Sequence, residues 1–192
     1  MYIALDLELE QPNRGVEITD SSISKSEIIQ IGWTVFSALP EFQVHKTTQW
    51  CVWKPYRLSS FIKTLTGITD EDIQAGKDPE IIYRKLVEDK EKYNTSPIVC
   101  QWGFGDMETL KELITSRVDD RWEFGRSGLN VKHLYRVYAE AKNLSKKSGG
   151  LSKCLHNLGL NWEGRGKHQA GVDALNTAKV FAYIMKQIRS GL

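Results

Sequence analysis

The order of patterns along the chain predicts an α/β sandwich built on a mixed sheet. Two observations carry it. Three runs rich in β-branched and aromatic residues fill the first half. Beyond them, helical periodicity dominates and is broken by one short apolar run.

The first strand is expected over about 2–9, where Tyr2-Ile3-Ala4-Leu5-Asp6-Leu7-Glu8-Leu9 alternates apolar and acidic side chains toward its end. The stretch 10–26, rich in Asn, Gly, Asp and Ser, reads as a loop. Strands follow over about 27–36 and 43–53. After Pro55, Ser59 or Ser60 caps a short helix that Gly67 ends, and Thr69 caps another with an acidic first turn at 70–72. Residues 79–92 form an amphipathic helix with Pro79 at its start. Pro97 to Gln101 reads as a short buried strand leading into a helix from about Asp106 to Ser116. Helices are expected at 132–142 and 151–158, with a long one at about 170–189.

A length of 192 residues fits one domain with a substantial core, and no linker or repeat divides it. With 41% hydrophobic and 26% charged residues, the composition is that of a soluble globular protein. No apolar run approaches the roughly 20 residues that span a bilayer, and no basic segment precedes an apolar stretch at the start. The expectation is no membrane association. Cys51, Cys100 and Cys154 are odd in number and far apart, so they read as reduced thiols of a cytoplasmic protein. A net charge of +2 advertises no global basic field. Positive charge gathers late, at Lys142, Lys146, Lys147, Lys153, Arg165 and Lys167. It is either a rim for a phosphodiester or a solvated loop, in equal measure.

Asp6 and Glu8 stand at i and i+2 of a strand, so both carboxylates project from one face. Two such charges repel, and folding gains nothing from pairing them unless a cation lies between them. Oxygen-rich sets of this kind suit Mg²⁺ or Mn²⁺. Asp106 opens a helix after a buried strand, and Asp173 lies in the first turn of the last helix. His168 sits five residues earlier in the glycine-containing segment 164–169. His45, His133 and His156 lack comparable neighbours and read as structural or surface residues. Gly103-Phe104-Gly105 and Gly164-Arg165-Gly166-Lys167 lack the spacing of a phosphate loop.

Asp-x-Glu at Asp6 and Glu8, Trp102-Gly103-Phe104-Gly105-Asp106, and His-x(4)-Asp at His168 and Asp173 together closely resemble the DEDDh exonucleases. The middle motif is Asn-x-x-Phe-Asp in many members, from which Trp102 and Gly105 depart. Three auxiliary segments resemble the branch of histone-mRNA 3′-end and RNA-silencing exonucleases: Glu27 to Gly32, Leu65 to Thr69, and Gly150 to Leu155 with Leu158 to Leu160.

The resemblance implies a ribonuclease-H-like fold, with a central mixed five-stranded sheet flanked by helices, as a single exonuclease domain over 1–192. It implies 3′→5′ hydrolysis of single-stranded RNA or DNA ends to nucleoside 5′-monophosphates with two Mg²⁺ or Mn²⁺ ions. In that mechanism the ions lie about 3.5–4 Å apart. One ion would be shared by Asp6, Glu8 and Asp173, the second held by Asp6 with Asp106 acting through water. His168 would be the general base, a task that suits an imidazole at neutral pH. Leu9 and Leu65 would wedge against the terminal base, backbone near Glu8 and Thr66 would hold the sugar, and Trp102 and Phe104 would stack on bases. RNA and DNA both stay open, as does oligomeric state. The alternative is a catalytically silent nucleic-acid-binding module of the same fold, whose usual mark is a missing carboxylate or histidine. None is missing here.

Overall fold

A computed structural model describes residues 1–10, 26–116, 122–125, 128–144, 149–166 and 168–191. Five strands, β1 (Tyr2–Glu10), β2 (Glu27–Ser37), β3 (Gln43–Cys51), β4 (Val99–Gln101) and β5 (Leu129–Asn130), form one sheet in the order β3-β2-β1-β4-β5. The first three are an antiparallel meander, and β4 and β5 run parallel to β1. The sheet is therefore mixed, with β1 at its centre.

Among the described residues seven helices accompany it: α1 (Ser60–Thr66), α2 (Asp70–Gln74), α3 (Pro79–Lys92), α4 (Asp106–Thr115), α5 (Val131–Ala141), α6 (Leu151–Asn157) and α7 (Ala170–Arg189). Their ends follow local chemistry. The Ser59 side chain caps α1, and Gly67, at φ 72°, closes it in the left-handed region that favours glycine. Thr69 and Asp72 form a reciprocal capping box, so the acidic run 70–72 serves helix ends. Asp78 caps α3, with Pro79 in its first turn.

Strand alternation divides the core. Ile3, Leu5 and Leu7 pack with Trp33, Leu86 and Leu110 on the face covered by α3 and α4. Ala4 points to the other face, where Tyr135, Leu155, Ala174 and Phe181 bring in α5, α6 and α7. A buried Asp89 pins α3 to the sheet, accepting from Trp33 Nε1 at 3.0 Å and from Lys46 Nζ at 2.8 Å. Cys100 and Cys154 lie in the core, where burial pushes the Cys154 thiol up to about 12. No helix among the described residues is long and apolar enough to cross a membrane.

Several boundaries differ from expectation. β3 stops at Cys51 because Val52 leaves the ladder to bridge Lys77, and β4 starts only at Val99. Pro97 has no N–H to give a ladder, and the Ile98 amide turns to Ser96 Oγ. β5 is a two-residue strand with no forecast. Most of the expected loop 10–26 lies outside the described residues, while Glu10 extends β1 and is buried.

One close approach sets the helix that matters most. Gly32 on β2 lies opposite Asp6 on β1, and a Cβ at Gly32 would stand 2.1 Å from the Gly171 nitrogen. Only a bare α-carbon lets the first turn of α7 rest on the sheet here. Gly32→Ala is expected to destabilise the chain by at least about 1–3 kcal/mol through overpacking. Urea unfolding checks this, and an unchanged midpoint would contradict the close approach.

Candidate active site

Alternation that buries Ile3, Leu5 and Leu7 on one face leaves Asp6 and Glu8 on the other, beyond Ala4. A register shift between Glu8 and Leu9 ends the regular pairing there. α7 arrives over Gly32 and presents Asp173 from its first turn. Its N-terminal end carries partial positive charge, which favours a carboxylate there.

Asp6, Glu8, His168 and Asp173 line one cleft of about 410 Å³, together with Trp102, Trp162 and Ser152. One donor atom each from Glu8, His168 and Asp173 lie within 4.8 Å of one another. Asp106 is not among the lining residues, yet its charge reaches the site. Burial first, then the charges of Asp106, Asp173 and Glu8, hold the Asp6 carboxyl well above the usual carboxylate range. Burial, then Asp173 and Asp106, pushes Glu8 from its ordinary 4.5 to about 8. Burial and the neighbouring Glu108 raise Asp106 to about 7. Four carboxylates from β1, α4 and α7 thus act on one another electrostatically.

The segment before His168 is fastened at its base. Buried Asn176 accepts from the Glu163 amide at 3.0 Å and donates to the Glu163 carbonyl at 2.8 Å. Trp162 Nε1 donates to the Gly166 carbonyl at 3.1 Å. Gly164 and Gly166 have φ of 89° and 83°, and His168 itself sits at φ 59°. A non-glycine residue in that region is uncommon and clusters at functional sites. Of the expected basic rim, Lys153 and Arg165 are exposed and Lys142 is half-buried, while Lys146, Lys147 and Lys167 lie outside the described residues.

The expected substrate contacts separate into groups. Leu9 and Leu65 line a second recess of about 170 Å³ with Glu8, His168 and Phe61. Leu65 is 38% exposed, and Phe61 lies one helical turn before it on α1. Phe61 escaped the sequence reading, although its spacing of four from Leu65 was a usable signal. Thr66 is buried. Its hydroxyl donates to the Ile62 carbonyl and accepts from the Ile68 amide, and its carbonyl accepts from Gln169 Nε2. Trp102 is half-buried on the cleft wall. Phe104 is 73% exposed, lines neither recess, and meets the ring of His133 edge-on at 4.8 Å. Ser152 and Trp162 also went unforeseen as lining residues: Ser152 belongs to the auxiliary segment Gly150 to Leu155, to which no site role was given, and Trp162 to no motif.

Against known proteins, no family model and no curated sequence matches the chain at a significant level. Solved structures do match. The nuclease domain of 3′hExo, a DEDDh family member bound to rAMP, aligns with a TM-score of 0.73 at 19% identity, over 97% of this chain and 92% of that one. Cell-death related nuclease 4 aligns with a TM-score of 0.74 at 16% identity, covering 96% of this chain. A zinc-bound complex of E. coli exonuclease I with ssDNA gives 0.66 at 15% identity and 98% coverage. The chain spans 64% of the second protein and 41% of the third. In architecture, this chain has the ribonuclease-H-like fold of the DEDDh-family 3′ exonucleases.

Proposed function

We propose that residues 1–192 form a single nuclease domain, a divalent-metal-dependent 3′→5′ exonuclease acting on single-stranded RNA or DNA ends. The observation that carries this reading is the cleft in which Asp6, Glu8 and Asp173 meet His168. The donor set fits a hard divalent cation: it is rich in carboxylate oxygen, and its charges are buried and mutually repelling. Asp6, Glu8 and Asp173 would hold Mg²⁺ or Mn²⁺, with Asp106 contributing from α4. When bound, the ions neutralise this charge and polarise the phosphodiester.

The remaining work falls to the chain. His168 accepts the proton of the water that attacks phosphorus. The bond from phosphorus to the 3′ oxygen of the penultimate nucleotide breaks, and that oxygen takes a proton from solvent. The terminal residue leaves as a nucleoside 5′-monophosphate. Leu9, Leu65 and Phe61 offer the apolar wall that a terminal base would press against, and Trp102 flanks the cleft. Aromatic and apolar platforms grip bases of any sequence, which suits an end-trimming enzyme.

The test uses 5′-labelled, 3′-labelled and circular single strands of RNA and DNA with Mn²⁺ or Mg²⁺. The expected result is a ladder shortening from the 3′ end, release of labelled mononucleotide, intact circles, and no reaction in EDTA. Cut circles would point to an endonuclease. Binding without turnover in either ion would identify a silent binding module and end the proposal.

A further inference from the structure

We infer that three glutamines on the sheet, Gln30 of β2, Gln49 of β3 and Gln101 of β4, are positioning residues that set the carboxylates of α7 and α4 against β1; this rests on the nuclease reading above. An α-helix begins with amides that have no partner within the helix, so whatever accepts them fixes where the helix starts. α7 has no capping bond from its own Gln169 side chain, and α4 begins at Gly105, which has no side chain to offer. Both helices are met from the sheet instead. The Ala170 amide donates to Gln30 Oε1 at 2.8 Å, and the Gly171 amide donates to Gln49 Oε1 at 2.8 Å. The Met107 amide donates to Gln101 Oε1 at 3.0 Å.

Each acceptor sits where a small displacement would be felt at the site. Gln30 pairs across the sheet with Glu8, and only 2% of it is exposed. Asp173 lies two residues past Gly171, and Asp106 immediately precedes Met107. Gln49 reaches further: its Nε2 donates to Gln169 Oε1 at 2.7 Å, and Gln169 in turn donates to the Thr66 carbonyl. That chain of amides ties β3 to the residue following His168 and to the end of α1, whose Phe61 and Leu65 wall the second recess. Gly171 and Gly128 leave room for it, since a Cβ at either would stand 2.9 Å or less from the side chain of Gln49 or Gln101. Outer partners that orient ligands in this way govern metal affinity and rate without touching the substrate.

The test compares the wild-type chain of residues 1–192 with Gln30→Met, Gln101→Met and the half-exposed, milder Gln49→Met. It reads Mn²⁺ affinity by titration calorimetry and kcat and KM on a single-stranded oligonucleotide. Methionine keeps the length of the side chain and removes the acceptor. The expected result is a loss of about 10–100-fold in Mn²⁺ affinity and kcat, with KM for the oligonucleotide near wild type. Faster hydrogen exchange at the Ala170 and Gly171 amides accompanies the loss in the variants at 30 and 49. Variants that melt earlier yet keep wild-type Mn²⁺ affinity and kcat while folded would overturn the inference and leave the nuclease reading intact. A wild-type chain that neither binds Mn²⁺ nor cleaves would overturn both.

Discussion

Asp6→Asn is expected to abolish strand hydrolysis while making the metal-free protein more stable. Both effects follow from one position, the middle of the central strand among three other carboxylates. Residues that merely orient metal ligands commonly cost about 10–100-fold in activity, so loss of a direct ligand exceeds that range. Asparagine keeps the shape and one oxygen but loses the charge that competes for a divalent ion.

The stability effect carries a sign and a pH window. Burial and neighbouring negative charge raise Asp6, with Glu8 at about 8 and Asp106 at about 7. A carboxyl raised in the folded state holds its proton there after the unfolded chain has released it. Without metal, the protein therefore loses stability as pH rises from the ordinary carboxylate range, about 4, through the raised values of Asp106 and Glu8, about 7 and about 8, with Asp6 adding to the loss in the same direction. Asn cannot ionise, so the part of the slope due to Asp6 disappears. At pH 8 in EDTA the variant should melt several degrees above wild type, since each kcal/mol is worth about 2–4 °C at this size. Mn²⁺ should raise the wild type most at that same pH. Equal melting of the two proteins in EDTA, or wild-type turnover by Asp6→Asn, would remove Asp6 from the site.

Much of this arrangement is legible in the sequence. The Asp6 and Glu8 pair is a period-two signal on a strand whose apolar partners, Ile3, Leu5 and Leu7, declare the buried face. Ser59, Gly67, Thr69 and Pro79 mark helix ends because their chemistry is local. What stayed hidden was non-local or too short. Leu129–Asn130 is a strand only because Cys100 and Gln101 lie beside it, and two residues carry no period. The amides of Gln30 and Gln49 meet α7 across 140 and 122 positions, a distance at which spacing has no meaning. Gly32 was visible as a glycine in a strand, but the reason for it is a helix that begins more than a hundred residues later.

His168→Ala should lower kcat by about 10²–10⁴, the range for loss of a general base, with Mn²⁺ affinity held at the wild-type value. The geometry makes the second half of that expectation the decisive one. A donor nitrogen of His168 comes within 4.8 Å of donor oxygens of both Glu8 and Asp173, close enough for a ligand as well as a base. Its setting favours the base. It is exposed, it stands at a left-handed φ beyond two positive-φ glycines, and it follows a segment pinned at Glu163 by Asn176. A base must meet water and then let product leave, and an exposed position at the mouth of the cleft permits both. Calorimetry with Mn²⁺ beside single-turnover kinetics separates the roles. A fall in affinity matching the fall in rate would make His168 a ligand, and the proton would then need another acceptor in the cleft.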